Sequence, residues 1–173
     1  LDEFMRDSAN KRTDRYGGSI ENRCRLLLEV TKAVIHVWGA DKVGVRLSPL
    51  NSYNSMKDSN PQKLTAYVVS ELNQLKVAYL HMMRSDFFGI QTGDVMAEAR
   101  EAFKGTLIGN MGYSPEEAAA SIEKGLINAV AFGSVISSKI TSAFISKASL
   151  SASSFADGTS TKITFAPSRC NTL

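Results

Sequence analysis

Arg46 places a permanent positive charge inside an apolar run, Val43-Gly44-Val45-Arg46-Leu47. A charge carried into apolar surroundings is costly unless something pairs with it. Two roles answer that cost. One is a structural ion pair, for instance with a loop carboxylate such as Asp58. The other is a clamp on an anionic ligand or on negative charge that develops in a reaction. Further on, Gly109-Asn110-Met111-Gly112 stands just before Ser114, a residue type that caps helices. Glycines let backbone N–H groups approach a phosphate, and a helix start favours negative charge there. Ala131-Phe132-Gly133-Ser134 repeats the arrangement one unit later. Any tight turn between strand and helix favours glycine, so the signal lies in the pair of turns rather than in either one. His81 ends another apolar run, where a histidine serves a ligand or hydrogen-bonds a neighbouring loop. His36 falls on a helical stretch and reads as solvated. No Cys/His/Asp spacing fits a metal site. The charges of residues 1–15, Asp41-Lys42 and Glu116-Glu117 read as solvated faces.

Positioning these residues requires strands that end where they stand. Residues 1–18 read as a charged loop. Ser19 caps a helix in which Ile20, Cys24, Leu27, Leu28, Val34 and Ile35 recur at helical spacing as far as Trp38, with Gly39 to close it. The run 43–47 that follows is bounded by turn signals and reads as a buried strand. Asn60-Pro61 opens a second helix, and 77–82 is the second strand. A loop around Phe87-Phe88-Gly89 leads to a helix at about 92–103, then a strand at 106–110. Ser114-Pro115-Glu116-Glu117 is a strong helix start, and that helix stops at Gly125. The fourth strand is 128–132. Four buried strands alternating with helices predict a parallel α/β sheet. A closed (β/α)8 barrel takes eight such units in about 250 residues, so the chain supplies half a barrel; a small open, doubly wound sheet is the alternative. In a barrel the ligand site forms at the C-terminal strand ends. That rule gathers Arg46, Ser48, His81, Asn110, Met111, Gly112, Gly133 and Ser134.

The 173 residues are 43% apolar and 21% charged, ordinary values for one globular domain. The net charge of +3 lies entirely beyond residue 125, in Lys139, Lys147, Lys162 and Arg169 against Asp157. Four scattered charges are too thin for a nucleic-acid footprint, and no apolar run reaches the roughly 20 residues of a membrane span. The two cysteines, Cys24 and Cys170, stand far apart and read as free thiols of a reducing, cytoplasmic compartment. The chain divides into residues 1–133, the barrel part, and residues 134–173, a diverged serine-rich tail. Ile136, Ile140, Phe144 and Ile145 suit one amphipathic helix there, and no periodicity follows Leu150. The first residues, Leu1-Asp2-Glu3-Phe4, read as the interior of a longer protein.

The stretch Asn10-Lys11-Arg12-Thr13-Asp14-Arg15-Tyr16-Gly17-Gly18-Ser19-Ile20-Glu21-Asn22-Arg23 resembles the signature of the old yellow enzyme family. Val43-Gly44-Val45-Arg46-Leu47-Ser48-Pro49, Tyr79-Leu80-His81-Met82 and Ala131-Phe132-Gly133 resemble further family segments, with N-ethylmaleimide reductase and 12-oxophytodienoate reductase as the nearest subgroups. The resemblance covers residues 1–133 and implies the C-terminal half of a (β/α)8 barrel. It implies an FMN at the barrel mouth, reduced by NAD(P)H. The hydride then passes to the activated C=C bond of an enone, a maleimide or a nitroalkene. Arg46 matches the arginine beside the flavin pyrimidine ring, where it stabilises negative charge. Met111 and Gly112 match one phosphate-binding segment, Gly133 and Ser134 the other. The family's substrate-anchoring His/His or His/Asn pair and proton-donating tyrosine match nothing here, because they belong upstream of Leu1. The resemblance therefore implies the missing N-terminal half-barrel as a partner. Met111 stands where the family has glycine, and Ser134 where it has arginine. These departures leave a second expectation: a non-catalytic half-barrel that binds at most a phosphate ligand or a partner.

Overall fold

The computed structural model describes residues 1–132 and 163–165. A short helix α1 (Asp2–Met5) precedes the long α2 (Ile20–Trp38); β1 (Gly44–Leu47), α3 (Pro61–Gln74), β2 (Tyr79–Met83), α4 (Val95–Ala102), β3 (Thr106–Asn110), α5 (Pro115–Glu123) and β4 (Ala129–Phe132) follow. The helices begin where local chemistry satisfies their first N–H groups. Ser19 Oγ accepts from Asn22 N at 3.4 Å, Asn60 Oδ1 from Lys63 N at 3.0 Å and Ser114 Oγ from Glu117 N at 3.1 Å. Gly39, at φ 85°, closes α2 by donating to Ile35 O at 2.8 Å. The helix expected from about 92 starts later, because Asp94 Oδ1 accepts from Met96 N and Ala97 N at 3.0 and 3.1 Å and so sets the first turn at Val95.

The strands lie in strict sequence order, and the pairs β1–β2, β2–β3 and β3–β4 are all parallel. Right-handed crossovers between strands that never reverse order place every connecting helix on the same side. A doubly wound sheet needs a reversal of strand order, and these four strands have none; the order is that of consecutive units of a barrel. The core is accordingly one layer between the helices and one sheet face. Leu47, Leu80, Met82, Leu107 and Val130 from the strands pack with Leu27, Leu64, Val68, Leu72 and Ala99 from the helices. Each fully buried Val or Leu contributes about 1.5–3 kcal/mol relative to exposure. Cys24 is wholly buried there as a free thiol, and burial pushes its pKa up to about 12.

The opposite face carries Gly44, Arg46, Tyr79, His81, Ile108 and Asn110, by register and alternation. Tyr79 is 42% exposed on it. Its ring lies over Gly44, where a Cβ would stand 2.1 Å from the ring, so any larger residue there would push the Tyr79 ring aside. The predicted strand at 43–47 is thus buried on one face only. The face free of helices is the one a closed barrel turns inward.

A fifth strand, β5 (Ile163–Phe165), pairs antiparallel with β4, Ala131 opposite Thr164. No periodicity in the tail announces it. The helix expected around residues 136–145 and Cys170 lie outside the described residues. No described helix is long and apolar enough to cross a membrane.

The charges of residues 1–15 are not one solvated face. Arg6 is fully buried: it donates to the carbonyls of Ser48 and Pro49 and, at 2.9 and 3.1 Å, to the Asp2 carboxylate. Its guanidinium satisfies carbonyls in the turn after β1 that no ladder reaches. Arg12–Asp14 and Arg15–Glu29 remain exposed pairs, as expected of a charged loop.

Candidate functional site

Arg46 leaves β1 on the helix-free face and reaches across the sheet. Its Nη2 donates to Asn110 Oδ1 at 2.9 Å, and Asn110 Nδ2 donates to Ala131 O at 2.7 Å. Strands stand about 4.8 Å apart, so the guanidinium spans from β1 over β2 to β3. Register sets His81 opposite Arg46 on that face, half-buried. The carboxylate suggested as a structural partner, Asp58, is elsewhere. It pairs with Arg23, with side chains 5% and 0% exposed, and Arg46 makes no ion pair among the described residues. The physical reason is local: Asp58 is tied to the N-terminal loop and the starts of α2 and α3, accepting from Asp7 N, Arg23 and Asn60 N, while Arg46 stands on the helix-free face of the sheet. Among the described residues Arg46 therefore meets a neutral amide, with its charge exposed at the strand ends.

Met111 and Gly112 form the turn after β3, both in the left-handed region at φ 79° and 70°. That conformation costs a residue with a Cβ about 1–2 kcal/mol, which is why a glycine is the natural occupant of position 111. The turn is held by Arg84, just past β2. Its Nε donates to Met111 O at 2.9 Å and its Nη2 to Gly112 O, and it forms a two-pronged ion pair with Glu117. Its guanidinium also lies 3.7 Å from the Tyr113 ring centroid. Glu117, expected on a solvated face, is thus a partner of Arg84, and that hydrogen bond lowers its pKa. Burial raises the Tyr113 hydroxyl's pKa against the lowering effect of Arg84. Sequence reasoning missed Arg84, since one arginine after a strand carries no local pattern.

Ser48 is absorbed into the Arg6 network: its carbonyl accepts from Arg6 and its hydroxyl donates to Asp2 Oδ2 at 3.3 Å. Gly133 and Ser134, the second phosphate segment expected from sequence, lie outside the described residues.

Asp86 organises the loops above β1 and β2. Its carboxylate accepts from Ser52 N and Oγ at 2.8 and 3.0 Å, Phe88 N at 3.2 Å, Ile90 N at 2.8 Å and Gln91 N at 3.0 Å. The loops so joined present Tyr53 stacked on Phe88, with ring centroids 6.2 Å apart, and Phe87 edge-on to Phe88 at 5.2 Å. Burial alone would raise the Asp86 pKa. The N–H groups of Ser52, Gln91 and Phe88 and the Ser52 hydroxyl outweigh it and hold the carboxyl far below its ordinary 3.8. A carboxyl lowered in the folded state stabilises at pH values above the ordinary one, and that contribution is lost as pH falls through the folded value. Asp86→Ala is expected to cost about 2–3 kcal/mol at neutral pH, because it strands several inward-facing donors. The deficit should shrink progressively below pH 3.8. Urea unfolding of both proteins across pH checks this; an equal deficit at pH 7 and in acid would contradict it.

The family model for NADH:flavin oxidoreductase / NADH oxidase matches residues 1–139. A probable flavin mononucleotide-dependent alkene reductase from Leishmania infantum is 50% identical over 133 residues, 77% of this chain and 36% of that protein. 12-Oxophytodienoate reductase 2 of Arabidopsis thaliana is 41% identical, again over 77% of this chain and 37% of its own length. The solved old yellow enzyme from Trypanosoma cruzi superposes with a TM-score of 0.74 at 44% identity, covering 76% of this chain and 35% of that one. The chain spans little more than a third of the length of these relatives. With the parallel half-barrel, the signature stretch and this match together, the chain belongs to the NADH:flavin oxidoreductase / NADH oxidase family, the old yellow enzymes.

Proposed function

We propose that this chain is the FMN-holding C-terminal half of an NAD(P)H-dependent ene-reductase barrel, acting on activated C=C bonds of enones, maleimides or nitroalkenes. One observation carries the reading: three consecutive parallel strands deliver Arg46, Asn110 and the Met111–Gly112 turn to one set of strand ends. These residues fit the cofactor. Among the described residues the charge of Arg46 is met by a neutral amide, and the left-handed turn stands just before α5, where backbone N–H groups and the helix dipole favour a phosphate. When bound, FMN supplies the hydride-transfer chemistry. This chain's residues would bind and orient it. The Met111–Gly112 turn would hold the phosphate, with Gly133 and Ser134 as its second contact. Arg46 would hold a fixed positive charge beside the ring, and Asn110 would aim that guanidinium. The strands beyond the β1 edge would come from an N-terminal half-barrel. Among the described residues β1 pairs on one side, and the groove beside it is lined by Leu27, Val30, Val34 and Val45.

A second reading, a half-barrel that does not catalyse, draws on β5. In a closed barrel the free edge of β4 takes a parallel strand. Here β5 lies antiparallel along it, so closure requires β5 to leave.

Position 111 tests the phosphate assignment. Glycine relieves the left-handed methionine, and arginine at 134 adds a charge-assisted hydrogen bond of about 1.5–3 kcal/mol. Met111→Gly with Ser134→Arg is expected to tighten FMN binding by roughly one to two decades. The protein to use is this chain joined behind the N-terminal portion of the Leishmania infantum relative. Unchanged affinity in an FMN titration would remove both turns from the phosphate site.

A further inference from the structure

We infer that Arg84 is a positioning residue for the phosphate-binding turn: it holds two consecutive peptide groups so that their N–H groups face the ligand. The inference rests on the reading that the Met111–Gly112 turn receives the FMN phosphate.

The geometry begins with the trans peptide, in which C=O and N–H point in opposite directions. Among the described residues every peptide bond is trans. Arg84 takes Met111 O on Nε and Gly112 O on Nη2. The N–H groups sharing those two peptides belong to Gly112 and Tyr113, so both are turned away from Arg84. Among the described residues neither amide donates to a backbone acceptor. Two adjacent donors at the start of α5 therefore point the same way, outward.

Such a turn does not hold itself. Residues 111 and 112 are both left-handed, and Met111 gains nothing from that conformation. Arg84 offsets the strain with two charge-assisted hydrogen bonds to carbonyls. Its planar fork reaches both carbonyls while its other edge grips Glu117, and its face covers Tyr113. A lysine ammonium is a point charge and cannot make that set of contacts together. Arg84 also cancels the charge of Glu117, which sits in the first turn of α5 and would otherwise repel a phosphate. Because the Glu117 carboxylate neutralises it, Arg84 acts through the turn rather than as the phosphate's own counter-charge.

The test is an NMR titration of the full 173-residue chain with FMN and, separately, with riboflavin, which has the ring but no phosphate, carried to ligand concentrations high enough to populate the weak complex expected of the chain alone. Wild type is expected to show amide shifts at Gly112 and Tyr113 with FMN and none there with riboflavin. Arg84→Ala and Arg84→Lys are each expected to weaken the FMN response about tenfold, to leave any riboflavin response unchanged, and to speed amide exchange at 111–113. Exchange at the β2 and β3 amides should stay slow, which reports that the variants are folded. Glu117→Gln leaves the two carbonyl contacts in place and frees the charge of Arg84, so it should bind FMN at least as tightly as wild type. If Arg84→Lys binds FMN as wild type does, charge alone suffices and the positioning role is overturned. If Arg84→Ala keeps both the FMN response and slow exchange at 111–113, it is overturned likewise. If wild type shows no FMN-specific shifts at Gly112 and Tyr113 while exchange still responds to Arg84, the phosphate reading fails and Arg84 remains a brace of the turn only.

Discussion

Asp58→Ala is expected to unfold the domain or bring it to the edge of unfolding, with a loss of about 3–5 kcal/mol. Asp58 and Arg23 are a buried pair, 0% and 5% exposed. Arg23 also donates to the carbonyls of Met5 and Gly18, and Asp58 accepts from Asp7 N at 3.2 Å and Asn60 N at 3.0 Å. The pair thus joins the N-terminal loop, α2 and the start of α3. Removing the carboxylate leaves the guanidinium buried without a counter-charge, and that uncompensated charge makes the cost large. A domain's whole stability is about 5–15 kcal/mol, so a single change takes a large part of it. Glu29→Ala serves as the control. Its pair with Arg15 is 42% and 65% exposed, and such pairs contribute at most about 1 kcal/mol. Urea midpoints compare the two. A midpoint for Asp58→Ala as close to wild type as the control's would show that the buried pair does not hold these segments.

The second large effect belongs to Arg46. In the joined barrel, Arg46→Ala is expected to lower ene-reductase turnover roughly 10- to 100-fold, the equivalent of losing about 1.5–3 kcal/mol of charge-assisted stabilisation. Its FMN should also dissociate faster. The effect follows from Arg46's single described partner, the neutral side chain of Asn110, which leaves the charge available at the strand ends. Arg46→Lys keeps a charge and gives up the planar fork, so it should fall between wild type and alanine. Turnover with N-ethylmaleimide and NADPH, together with FMN retention on gel filtration, reads both. Equal turnover in all three proteins would leave Arg46 with no part in the chemistry.

Much of this fold is legible in one dimension because its determinants are local. Ser19, Asn60 and Ser114 announce their helices, since a cap and its N–H partner lie within three residues. The four parallel strands are short apolar runs between turn signals, found within two residues of their places. Arg46 and the 111–112 turn are legible because a strand end is a known position once the strand is. The remainder depends on contacts distant in sequence. Arg6 sits among charges that read as solvated and Arg23 carries no local pattern of its own, yet both fill buried positions because carbonyls and Asp58 from residues 48–58 arrive to meet them. Arg84 and Asp86 acquire meaning only through the turns they bind. The three residues of β5 pair with a strand some thirty positions earlier, and nothing in their own sequence specifies that edge.

If this chain supplies half of a flavin-binding barrel, it should hold flavin only when the other half is joined to it. One measurement tests it most directly: the visible flavin spectrum, after purification with added FMN, of the 173-residue chain alone and of the same chain joined behind the Leishmania infantum relative's N-terminal portion. The chain alone should be colourless, and the joined barrel should retain FMN and oxidise NADPH when N-ethylmaleimide is supplied. A folded joined barrel that stays colourless, or a lone chain that holds flavin and turns over, would contradict it.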